Sequence, residues 1–384
     1  MSWSRILAHI ALGATLIAYL GASSQNLTEE EARNPVALVC QNAVYESNLA
    51  NRPHPFLTVS EAYPSLSHYI PAWLSKPLDL FHCFVTPAFV AIYRDPLGNA
   101  VIDLFNPVLT TLIAWAAVEA STSRSRGGGL AKLITNLPIL TFAIGQIATI
   151  GAVSHLLLLP VIMYLRRNTR VTGLPNATRL SAILVQVFLM LVTVGITVGS
   201  PELVTLWAIT FLQVSPVLSH LMYSTPIYHV VGIPLRGLLP KKSATHALQT
   251  FWQLVAATTI LAHLQAVSRV IALALTYDST NPAIYGMTPV EGWWSSKPPL
   301  EVAAIFRYLL SWTTQMELGR ALIVYDFLAS SLALTALQWE RFTSIGAFLY
   351  HPIEVLLLGP GGSFAMWQSK ACERDITVAQ RKNR

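Results

Sequence analysis

Runs of mainly apolar residues, each close to the ~20 needed to cross about 30 Å of hydrocarbon as a helix, recur along nearly the whole chain. No water-soluble fold accommodates that pattern, because each run carries more apolar surface than one shared core could cover. Composition agrees: 11% of the 384 residues are charged and 53% are hydrophobic, against about 25% charged in a soluble domain. The expected fold is therefore all-α, a polytopic helical bundle forming a single transmembrane domain over residues 1–384. An ordinary soluble enzyme is excluded. The Lys and Arg residues cluster between apolar runs rather than with aromatics, so no nucleic-acid surface is expected either.

Eight spans are predicted, at residues 6–22, 79–93, 100–120, within 138–165, 180–198, 202–223, 248–276 and within 318–339. A ninth is conceivable at 345–367, a segment interrupted by His351-Pro352 and Gly359-Pro360. The first run reads as an uncleaved anchor, with a leader peptide behind Arg5 as the alternative. Residues 24–78 form a polar luminal loop with short helices, carrying the sequon at Asn26. Residues 302–315 look amphipathic and interfacial. With the N-terminus cytosolic, Arg166, Arg167, Arg170, Arg236, Lys241, Lys242 and the tail at about 368–384 fall on the cytosolic side. Arg124, Arg126 and Lys132 oppose this count, which puts them in the lumen. Cys40, Cys83 and Cys372 show no metal spacing, and Cys40 pairs with Cys83 only if the fold brings them together.

Ionisable groups at bilayer depth are costly, so they head the list of candidates for chemistry. Asp326 stands near the middle of its span, with Ser330 one turn on, and is the first choice for an acid. Asp79, Asp103 and Glu317 follow; Asp103 also fits a solvated helix end, and Glu317 an i,i+3 pair with Arg320. Arg269 reads as a snorkelling side chain. His155 with Gln146, and His263 with Trp252, punctuate otherwise apolar helices. Their plain reading is interhelical hydrogen bonding; the functional one is to orient an acid or take up a proton. Trp207, Trp252 and Trp312 fit either an aromatic belt or a pocket lining. Aromatic faces beside a buried acid suit carbocation chemistry, since the ring quadrupole attracts passing cations. No metal-ligating spacing occurs.

Several stretches together resemble the fungal membrane-bound terpene cyclases of the ascofuranone and macrophorin type. They are Pro77-Leu78-Asp79, Gly145-Gln146, Thr149-Ile150-Gly151, His155-Leu156, Phe251-Trp252-Gln253, Tyr325-Asp326 and Gly359-Pro360-Gly361. The resemblance implies an enzyme of meroterpenoid secondary metabolism in the endoplasmic reticulum membrane. Such an enzyme cyclises a farnesyl-type chain on a hydrophobic prenylated substrate by protonating an epoxide or terminal olefin. No cofactor is expected; depth and residue type select Asp326 as the acid, with Trp252, Gln253 and Gln146 among the substrate contacts. Other pathway enzymes are then the natural partners within the bilayer. DDxxD, NSE-like and DxDD motifs are lacking, in keeping with proton-initiated, metal-independent chemistry. A small-molecule exporter and a non-catalytic scaffold are the rival classes. If the 24–78 loop is luminal, Asn26 carries a glycan, and an endoglycosidase-sensitive gel shift is expected that Asn26→Gln abolishes.

Overall fold

The structure, a computed structural model, describes residues 3–23, 36–45, 71–94, 96–124, 128–199, 211, 215, 217–223, 226–240, 243–276, 315–339 and 345–382. The helices are α1 (Trp3–Ser23), α2 (Val36–Tyr45), α3 (Ala72–Arg94), α4 (Pro96–Ser121), α5 (Gly128–Ala148), α6 (Ile150–Val153), α7 (Leu159–Asn168), α8 (Ala177–Gly199), α9 (Tyr228–Val231), α10 (Ala244–Thr276), α11 (Gln315–Trp339) and α12 (Ile345–Lys382). A π-helical turn, Ser154–Leu158, joins α6 to α7. Two short strands, β1 (Ser123–Arg124) and β2 (Val171–Gly173), pair antiparallel. Among the described residues the bundle is thus all-α apart from this ribbon. Among the described residues, five segments are long and apolar enough to cross a membrane: Gly98–Ser121, Ile150–Asn168, Ala177–Gly195, Ala244–Ala272 and Ala321–Gln338.

Helix α4 is the axis, packing against α3, α5, α8, α10, α11 and α12. Its sequence explains the position. Ala114, Ala116 and Ala117 are completely buried, as are Val108 and Leu112, so apolar and small side chains cover every face and neighbours approach closely. Asp103, near its start, binds Arg269 of α10 at 2.5 Å. The reading of Arg269 as a lone snorkelling side chain is therefore replaced by an ion pair between helices, the arrangement in which an apolar bundle tolerates charge.

The predicted span within 138–165 is not one helix. It breaks at Thr149, and the chain turns back there. Arg124 after α4 and Arg166 at the end of α7 both bind the carboxylate of Glu119, and β1 pairs with β2 just beyond. Helix α5 is about 30 Å long at 1.5 Å per residue. Only a hairpin returns the end of α7 to the place where α5 began, and α5 indeed packs along α6 and the π turn. Arg124 and Arg166 thus lie at one end of the bundle. The expectation that a membrane separates them is overturned by a turn that hydropathy does not register.

A second reversal lies inside α12, where Gly359 has φ 74° and ψ 157°. Trp367 donates its indole N–H to Glu354 at 3.3 Å. Thirteen residues of straight helix would hold those positions about 20 Å apart. The 345–367 segment is therefore helical but folded back at Gly359-Pro360, and the helix continues through the 368–384 tail as far as Lys382. Cys40 of α2 and Cys83 of α3 form a disulfide. Two of the helical stretches expected within 24–78 are described, α2 and the start of α3; Asn26, most of the 202–223 span and residues 302–314 lie outside the described residues.

The hairpin makes a direct prediction. A Cβ on Gly173 would lie 3.5 Å from that of Ser123, a disulfide-forming distance. Ser123→Cys with Gly173→Cys, in a Cys372→Ser background, is expected to cross-link in high yield on mild oxidation. No cross-link is expected if the two segments lie on opposite sides of a membrane.

Candidate functional site

Backbone breaks within an apolar bundle leave amide and carbonyl groups that no water reaches, so something must satisfy them. At the first break this task falls to Asp326. Thr149 has φ 67° and ψ 133°, a left-handed conformation that costs a β-branched residue roughly 1–3 kcal/mol. Beyond it, α6 begins with N–H groups that lack intrahelical partners. The amide of Gly151 donates to Asp326 at 2.6 Å, and the Ile150 amide and the Thr149 side chain converge on the same carboxylate. Thr149 also accepts from Ala152 with its hydroxyl and from Val153 with its carbonyl. An anion at the N-terminal end of a helix is favoured by the aligned peptide dipoles as well.

The close approach depends on one glycine. A Cβ on Gly151 would stand 2.5 Å from that of Ala329 and 3.0 Å from the Asp326 carbonyl, so any side chain there pushes α11 away and withdraws the acid. Asp326 lies about 5 Å from the midpoint of its apolar segment at 1.5 Å per residue, and it is buried.

One turn along, His155 is completely buried in the π turn. Pro160 accounts for that turn: its ring would clash with the carbonyl four residues earlier, and a widened turn relieves the clash. His155 Nε2 lies 3.0 Å from the Ala329 carbonyl. Its Nδ1 lies 2.8 Å from Nδ1 of His9 on α1. Asp326, Thr149, His155 and His9 therefore form a polar seam where α1, the α5–α6 tip and α11 meet.

At the second break the task falls to His263. Leu356 sits in the last turn before Gly359, where carbonyls lack intrahelical donors, and Pro360 has no N–H to offer. His263 Nε2 stands 3.1 Å from that carbonyl. A Cβ on Gly359 would come within 2.6 Å of the imidazole, and its positive φ favours glycine independently. The expectation that His263 joins His155 around one acid is not met, because each serves a separate break.

The remaining predicted residues divide as follows. Asp103 is held by Arg269. Asp79 is buried on α3, one turn before His82. Trp252 is buried in an aromatic row with Phe251, Phe364 and Trp115, at centroid distances of 5.1–6.2 Å. Gln253, the next residue on α10, is exposed, so the two proposed contacts face opposite ways. Gln146 and Glu317 belong to α5 and α11, but their side chains, like Trp207 and Trp312 altogether, lie outside the described residues.

Two participants escaped the sequence reading. His9 was passed over because its helix read as an anchor or leader, although an imidazole in an apolar run is itself a signal. Glu119, inside the predicted 100–120 span, was not singled out, yet it ties two arginines and, through Arg166, whose guanidinium stands 5.7 Å from the Trp115 ring centroid, an aromatic face. No family model, curated protein or solved structure matches the chain.

Replacing Asp326 separates its structural task from chemistry. Asp326→Leu strands the Gly151 amide and is expected to cost on the order of 1–3 kcal/mol, read as a lowered unfolding midpoint in detergent. Asp326→Asn keeps an acceptor oxygen and should retain most of that stability. Equal melting of the native and Leu forms would show that the carboxylate does not hold the break.

Proposed function

We propose that the chain is an integral membrane terpene cyclase of the endoplasmic reticulum. It would close the prenyl chain of a hydrophobic meroterpenoid precursor after protonating a terminal epoxide or olefin. The observation that carries this reading is the carboxylate of Asp326, buried near the middle of its apolar helix beside a buried imidazole. An acid at that depth is shielded from bulk water, so a carbocation formed next to it would be protected from premature capture. In its protonated form Asp326 supplies the proton, which adds to the alkene carbon or epoxide oxygen and leaves the carboxylate behind; the ring closes through the chain's own double bonds, and a later C–H loss returns a proton. Mass is unchanged. The motif resemblance points the same way, and Trp252 remains the aromatic candidate for stabilising positive charge.

The compartment fits two further features. The Cys40–Cys83 disulfide belongs to an oxidising environment. The end of the bundle bearing Arg124, Arg166 and Arg167, with Arg167 stacked over Trp3 of α1, faces the cytosol by the positive-inside rule.

A second reading, a small-molecule exporter, is favoured by the two helices interrupted inside the bundle with their free ends met by side chains from elsewhere, an arrangement shared with many transporters. Yeast microsomes given a prenylated epoxide or olefin separate the two. A cyclase yields an isomer of identical mass, and Asp326→Asn lowers its rate by roughly a hundredfold. An exporter moves the compound across reconstituted vesicles unaltered. Full turnover by the folded Asn variant removes Asp326 from the chemistry.

A further inference from the structure

The imidazole pair at the seam has a determinate proton arrangement. A carbonyl oxygen only accepts, so His155 must carry its hydrogen on Nε2 to bond Ala329. In its neutral form the other ring nitrogen, Nδ1, is then a lone pair. The Nδ1 of His9, 2.8 Å away, must therefore be the protonated one. Both nitrogens of His155 are occupied by these two bonds. The lone pair left over in the pair is Nε2 of His9, which makes no further hydrogen bond among the described residues and belongs to a half-buried side chain.

We propose that His9, on the first helix, is the proton acceptor of the site, and that His155 is the positioning residue that fixes its tautomer and aims its Nε2 lone pair. The assignment rests on the cyclase reading for its substrate, a carbocation formed from a prenyl chain. At termination the C–H bond next to the cationic carbon breaks, its electron pair becomes the new C=C bond, and the proton joins Nε2 of His9. The resulting imidazolium keeps its Nδ1–H on the lone pair of His155, which spreads the charge over two rings. No redox partner or metal enters the step.

The surroundings suit such a role. Helix α1 is seated against the π turn so closely that a Cβ on Gly13 would meet the Ala152 carbonyl and the Leu156 amide at 2.8 Å. That contact sets His9 opposite His155. The titratable groups on and around α1 include Arg5, one turn before His9, Tyr19, bonded to Tyr325 of α11, Asp326 at the helix tip, Tyr164 against Trp3, and Arg167 over that same indole near the N-terminal end. The acid and the acceptor thus stand on different helices, joined through the π turn rather than in direct contact. A proton given up by Asp326 and one collected by His9 need not share an oxygen.

Solid-state NMR of the native chain in lipid, with 15N-labelled histidine, tests the assignment without any substrate. The expected spectrum has a scalar coupling between two Nδ1 atoms, one protonated on His9 and one unprotonated on His155, and it disappears in His9→Gln. A protonated Nδ1 on His155 overturns the proposal. With substrate, His9→Gln is expected to slow product formation by roughly a hundredfold and to erase the acid limb of the pH–rate profile, whereas loss of a purely structural contact would leave that limb in place. An unaltered rate and profile in the folded variant, with the isomeric product still formed, ends the role of His9 and leaves the cyclase reading intact. The NMR signature in a native protein that makes no isomer supports the lone-pair assignment and ends the cyclase reading.

Discussion

Every unusual feature of this bundle answers one constraint: a polypeptide that breaks its helices away from water must satisfy the exposed amides and carbonyls with its own side chains. Among the described residues, helices break at two positive-φ positions, Thr149 and Gly359. A carboxyl oxygen meets the freed N–H groups at the first, and an imidazole N–H meets a freed carbonyl at the second. The pairing follows polarity, since the start of a helix offers donors and its end offers acceptors. Remove either side chain and the break loses its only named partner from another helix.

The same constraint explains why the bundle is organised around α4. A reversal inside the bundle needs a wall to lean on, and that wall must be narrow. The second reversal leans on α4 directly, where a Cβ on Gly361 would meet the Pro107 carbonyl at 2.5 Å. The first leans on α11, which itself packs on α4 through the Phe105–Phe327 contact. Small residues on the axis and glycines at the tips are two halves of one packing solution, and both remove side-chain volume where backbones must nearly touch. Glu119 closes the far end of the first hairpin by binding the arginines that flank it.

Under the proposed cyclase reading, structural and reactive roles fall on the same groups. Asp326 holds a helix start and is also the deepest buried acid in the seam. His155 anchors the π turn to α11 and also fixes the proton on His9. A site of this kind is preorganised because its members are already held by the fold. Its variants lose stability and function together unless the substitution, like Asp→Asn, preserves hydrogen bonding.

Much of the architecture was legible along the chain. Apolar runs of spanning length mark α4, α8, α10 and α11, because each helix crosses as an independent length of greasy surface. Asp326 stood out because a carboxylate amid such a run has no bland solvent to face. What periodicity does not carry is the direction of the chain after a break. The run containing Thr149 is apolar on both sides, so hydropathy reads one continuous segment where the backbone makes two helices. Partner identity is equally hidden, since Asp326 meets Gly151 across 175 positions and His9 meets His155 across 146. The sequence by itself determined that helices form and must bury one another, a local matter of composition and length. Tertiary structure alone decided which polar group closes which break, because that depends on where two distant turns of helix come to rest in space.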